Sequence, residues 1–179
     1  MTIENILRAK RKPKEKQVRL VEAVCSKEIS VEEFKTFFEE ASNVDKGTCA
    51  DALKHISEQR PELLGRHIDF IIRFINHKAP RVRWGISETI GNLAKQYPEK
   101  AAEAILSLLR NTVENEENTT VIRWCAAYAL SEIVKYNREA RQGLLPKIRG
   151  IAEKESNHGV KGVYLRAFRA IEKEHEGRV

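Results

Sequence analysis

The 179-residue sequence predicts an all-α chain, an α-α superhelix of about four stacked helix pairs preceded by N-terminal helices. Three observations predict it. The stretch from Val82 to Lys95 returns 40 residues later as Ile122 to Lys135. Both copies open on an aliphatic residue followed by Arg-Trp (Val82-Arg83-Trp84 and Ile122-Arg123-Trp124), and both close on Lys. A period near 40 residues marks a helical repeat array, in which each unit buries one face against its neighbours. Second, the apolar positions fall at offsets zero, four, eight and eleven: Val82, Ile86, Ile90 and Leu93, then Ile122, Ala126, Leu130 and Ile133. That spacing is one stripe on an α-helix. Third, Gly is sparse, β-branched runs are few, and the five Pro sit at or near expected helix starts, except Pro146.

Two weaker copies extend the series. Val160, Tyr164, Phe168 and Ile171 repeat the stripe 38 residues after Ile122. In the unit that starts 37 residues before Val82, Cys49, Leu53 and Ile56 fit and Asp45 does not.

Taken in order, Thr2 caps a short helix that ends near Arg11, ahead of Pro13. Lys14 to Ser26 is the second helix. Ser30 with Glu33 forms a capping box for the third, whose apolar face is Phe34, Phe37 and Phe38. Asp45 to Glu58 completes the first pair. Pro61 opens a strong helix, 62–76, with Leu63, Leu64, Ile68, Ile71, Ile72 and Ile75 inside. Arg81 to Tyr97 is its partner. Pro98 opens 99–112, and Thr119 or Thr120 caps the helix that reaches Lys135. The last pair is 138–154 and 159–174, with Pro146 expected to kink or split the first of them. The resulting organisation is a basic helical segment 1–28 packed on the first repeat, repeats at 29–60, 61–97, 98–136 and 137–174, and a frayed tail 175–179.

Short helix pairs of about 40 residues led by Pro, with Pro80-Arg81-Val82-Arg83-Trp84 and Val121-Ile122-Arg123-Trp124 heading the second helices, resemble the HEAT-repeat family and, more loosely, armadillo repeats. The resemblance covers roughly residues 29–174. It implies a HEAT-like solenoid with a concave groove, and is nearly silent on function, because such arrays serve many partners. The usual acidic residue before the second helix is missing at Ala79-Pro80, so no Asp–Arg ladder between repeats is expected there.

At about 100° per residue the core stripe of the Val82 helix centres near roughly 40°, and Trp84, Glu88, Gly91 and Lys95 centre near roughly 210°. In a solenoid that far side faces the groove. Read across repeats, the column is Gly47, Asp51, Lys54 and Glu58; Trp84, Glu88, Gly91 and Lys95; Trp124, Tyr128, Ser131 and Lys135; Gly162, Arg166, Arg169 and Lys173. The candidate binding residues are therefore Trp84, Glu88, Lys95, Trp124, Tyr128, Lys135, Arg166, Arg169 and Lys173. Tryptophan beside Arg and Lys is the composition of an interface anchor or a base-stacking platform. The alternative is structural: the two indoles pack the seam between repeats. Arg83, Arg123 and Lys161 form a flanking column, for which salt bridges between repeats are the simpler reading.

No metal-ligand spacing links the five His or the three Cys, no Gly-rich phosphate loop occurs, and no Ser or Cys carries a nucleophile signature. No catalytic residue, cofactor or metal is expected. No apolar run is long enough for a membrane helix, and the charged N-terminus is no secretory signal. Cys25, Cys49 and Cys125, odd in number and widely separated, read as small buried side chains in a reducing compartment, so a cytoplasmic location is expected. Net charge is +6, and residues 1–19 alone hold seven Lys or Arg against two Glu. The favoured function is a non-catalytic scaffold that holds a macromolecule, foremost a protein or peptide, in its groove, with no membrane partner and the oligomeric state open. The alternative is nucleic-acid binding: HEAT-like DNA alkylation-repair glycosylases use groove tryptophans, an Arg and a carboxylate, to which Trp84 with Glu88, Trp124 and Arg166 are similar in kind. Their carboxylate is usually Asp, and this chain looks shorter and more regular.

Overall fold

The structure, a computed structural model, describes residues 1–176. Among them are eleven α-helices, two 3-10 turns and no strand, so the chain is all-α. In order these are α1 (Ile3–Arg8), α2 (Pro13–Cys25), α3 (Val31–Glu40), α4 (Asn43–Gln59), the 3-10 turns Pro61–Leu63 and Gly65–His67, α5 (Ile68–Ile72), α6 (Pro80–Leu93), α7 (Pro98–Ala102), α8 (Ile105–Asn111), α9 (Thr120–Tyr136), α10 (Arg138–Lys154) and α11 (His158–Glu176). Of the tail expected to fray, 175–176 close α11 and 177–179 lie outside the described residues.

The chain forms two compact units, Met1–Thr89 and Ile90–Val179, and the boundary falls inside α6. In the first unit, α2 packs on α1 and α4, and α3 packs on α4. Thr2 caps α1, which stops at Arg8 rather than near Arg11, and Ser30 with Glu33 makes the expected capping box on α3. Phe38 meets Phe70 and Phe74 edge-on, at 5.8 Å and 4.8 Å between ring centres, which fixes α3 against α5.

The segment 61–76, expected as one helix, is instead two 3-10 turns, the short α5 and a closing turn. Its amides reach back three residues, as in Leu64 to Pro61, His67 to Leu64 and Phe74 to Ile71. Gly65 weakens the α-helix there, and Leu64, Ile68, Ile71 and Ile75 stay buried in the tighter winding. The segment 99–112 likewise divides into α7 and α8 at Glu103-Ala104, which no residue there explains. Pro146 has the opposite outcome: α10 is assigned as a single helix through it. Both Pro146 and Gln142, whose carbonyl loses its amide partner, lie on the exposed side, where that carbonyl is not sealed from solvent.

In the second unit, α9 packs against α7, α8, α10 and α11, and α10 against α11. Arg123, near the start of α9, reaches Glu155 just past the end of α10; Arg141, near the start of α10, reaches Glu174 near the end of α11. Hence α10 runs opposite to both neighbours, and α9 and α11 run the same way. The stripe at offsets zero, four, eight and eleven is buried in each copy except at Asp45, from Cys49, Leu53 and Ile56 through Val82, Ile86, Ile90 and Leu93 and Ile122, Ala126, Leu130 and Ile133 to Val160, Tyr164, Phe168 and Ile171.

Candidate partner-binding surface

In the first unit the candidate column lies on α4 and α6, and its charges are consumed internally. The Arg81 guanidinium donates to Asp51 Oδ2 at 2.9 Å from Nε and 2.5 Å from Nη2. Lys54 pairs with Glu88. The two ion pairs join α4 to α6, where the sequence led us to expect no acidic rung: Asp51 supplies it from within α4 rather than from the connector before α6. The helices can approach because position 85 is Gly; a Cβ there would lie 2.5 Å from the carbonyl carbon and oxygen of Ala50. Trp84 is partly buried on this face, and its indole N–H is buried with no hydrogen-bond partner. Glu88, the carboxylate of the glycosylase-like reading, is thus held by Lys54.

The other seven candidates belong to the second unit. Lys95 is exposed just beyond the end of α6. Trp124 and Tyr128, one turn apart on α9, stack with ring centres 5.9 Å apart and planes 8° from parallel. Tyr128 also faces the last turn of α6: its hydroxyl donates to Asn92 Oδ1 at 2.6 Å, and a Cβ at Gly91 would come within 2.7 Å of its ring. Tyr128 therefore seals a helix seam on one edge and supports Trp124 on the other. Ser131, which shares their column, is buried instead. Lys135 pairs with Glu132 at 2.5 Å and lies over the Tyr136 ring.

On α11 the polar faces divide by charge partner. Glu172 binds Arg149 at 3.3 Å, and Glu174 binds Arg141 at 3.2 Å, both on α10. Arg166, Arg169 and Lys173, on the face opposite the buried stripe, are exposed and make no side-chain hydrogen bond or ion pair among the described residues. Because α9 and α11 run the same way and bury the same stripe, the half-buried column Trp124–Tyr128–Lys135 and the exposed column Arg166–Arg169–Lys173 occupy equivalent positions on their helices.

The flanking column produced an interaction that the motif only hinted at. Arg123 is buried and donates to both oxygens of Glu155, at 3.1 Å and 3.2 Å, to Glu114 at 3.2 Å and to the Asn118 carbonyl at 3.1 Å. Burial acts to raise the Glu155 carboxyl, but bonds from Arg123 and from the Asn157 amide outweigh it and hold the group below the usual carboxylate range. Nothing in the periodicity marked Glu155, which lies in a connector outside the stripe. Asn92 was missed for a similar reason; the side-chain-free Gly91 beside it was the available signal of close approach.

No protein-family model matches the chain, and no curated protein matches it. Among the described residues no cluster of His, Cys, Asp or Glu is arranged to hold a metal ion, and no helix is long and apolar enough to cross a membrane.

Proposed function

We propose that the chain is a non-catalytic HEAT-like repeat module that binds an acidic protein segment on the α9–α11 face of its second unit. The observation that supports this most is the unpaired cation stripe Arg166–Arg169–Lys173 on a helix whose carboxylates Glu172 and Glu174 are instead paired with Arg149 and Arg141 of α10. Evenly spaced cations with no internal partner supply steering and register for a chain of carboxylates. Trp124, propped by Tyr128, supplies the flat apolar anchor that carries much of the energy in protein interfaces.

The test is a display library of acidic 15-residue peptides selected on the full chain, followed by calorimetry on the best binder. Trp124→Ala and the triple change Arg166→Gln, Arg169→Gln, Lys173→Gln are each expected to weaken it at least tenfold, while Trp84→Ala leaves it within about twofold, since a handful of central residues carries most binding energy. Failure to select any acidic peptide, or equal affinity for all variants, removes the proposal.

A further inference from the structure

A second charged surface lies on the first unit. Of the seven cations in residues 1–19, two are used internally: Lys16 donates to the Leu7 carbonyl at 2.6 Å, and Arg19 pairs with Glu28 at 2.6 Å. The remaining five, Arg8, Lys10, Arg11, Lys12 and Lys14, fall within seven residues at the end of α1, the connector and the first turn of α2. All five are exposed, and none makes a side-chain hydrogen bond or ion pair among the described residues. The rest of this unit, residues 20–89, carries ten Lys or Arg against twelve Asp or Glu. The excess positive charge of the unit is therefore concentrated in this connector.

We propose that the Arg8–Lys14 connector binds the phosphate backbone of double-stranded nucleic acid, without sequence preference. The side chains present decide among polyanions. A protein interface needs a buried aromatic or large apolar anchor, and the sequence has no aromatic before Phe34. The groove beside the connector, about 430 Å³, is lined by Arg11, Lys12, Lys14 and Arg19, by the carboxylates Glu15 and Glu22, and by Val18 as its one apolar side chain. A membrane surface needs a second, apolar anchor alongside a polybasic patch for stable attachment, and Val18 with Met1 is too little. Single strands are held by stacking on aromatic rings, and none is present. What remains is charge alone, which suits the dense, regular phosphates of a duplex.

The experiment measures anisotropy of two labelled 20-base-pair duplexes of unrelated sequence against the full chain across a salt series. Equal affinity for both is expected, with log K falling against log salt at a slope of about −4 to −5, as five phosphate contacts require. Arg11→Gln/Lys12→Gln/Lys14→Gln is expected to reduce that slope in magnitude by about three and to weaken binding at least tenfold, with Lys10→Gln alone reducing it by about one. The melting temperature should not move, because these exposed side chains make no hydrogen bond or ion pair among the described residues. The α11 change Arg166→Gln/Arg169→Gln/Lys173→Gln should leave duplex binding within about twofold, which separates this surface from the peptide-binding one. Absence of duplex binding, a flat salt series, indifference to the connector variants, loss in the α11 variant instead, or tighter binding to polyglutamate, to single strands or to anionic vesicles each overturns the proposal.

Discussion

The two Arg-Trp helices present one motif in two settings. In the first unit, α6 meets α4 through a backbone-close contact at Gly85 and through the part-exposed pairs Asp51–Arg81 and Lys54–Glu88. In the second, α9 is tied to the α10–α11 connector through the buried Arg123–Glu155 pair and to the end of α6 through Tyr128 and Asn92. The first setting consumes the charges of its outward column. The second places its ion pairs to one side and leaves Arg166, Arg169 and Lys173 unpaired. The buried stripe is thus copied from one helix to the next, but the pairing of outward charges is not.

The comparison can be sharpened by substitution, starting where the effect should be largest. Glu155→Ala leaves Arg123 buried without its main partner and is expected to cost about 3–5 kcal/mol in denaturant unfolding. The same pair gives the sign of the pH response. Because the folded Glu155 carboxyl titrates below its unfolded value, its contribution is present above the unfolded carboxylate range and is lost as pH falls through the folded one. Wild-type stability should therefore fall on acidification, and the difference between wild type and Glu155→Ala should shrink with it; a difference constant from pH 7 to pH 3 would break this account.

Gly85→Ala sets a methyl against the Ala50 backbone, which cannot rotate away, and is expected to cost about 3 kcal/mol. Gly91→Ala meets mainly the Tyr128 ring, which can shift, so about 1–2 kcal/mol is expected. Equal losses in thermal melts would show that the two crossings are equally rigid. Tyr128→Phe removes one hydroxyl that donates to Asn92 and should cost about 1 kcal/mol. The smallest effect belongs to the first unit: Asp51→Asn, which weakens a pair whose Arg81 is well exposed, should change stability by about 0.5 kcal/mol or less, and less still in high salt. A loss from Asp51→Asn as large as that from Glu155→Ala would erase the distinction between the units.

The sequence alone determined the all-α class, the Ser30 capping box, the second helix of each pair (although α6 ends at Leu93 rather than at Tyr97) and every member of the buried stripe except Asp45, because each depends on residues a few positions apart on one helix. It could not determine how the first helices of the middle pairs wind, since Leu64, Ile68, Ile71 and Ile75 satisfy the core equally well in tight turns or in an α-helix. Nor could a wheel count separate Arg166 from Glu88: both point away from their stripe, yet one is solvent-exposed and the other is held by Lys54. Which outward charges are cancelled is set largely by residues far apart in sequence, 30 positions for Asp51 and Arg81 and 33 for Arg141 and Glu174, brought to within a few ångströms by helix packing. Ion pairing falls off with distance in space, not along the chain, so that decision belonged to the tertiary structure.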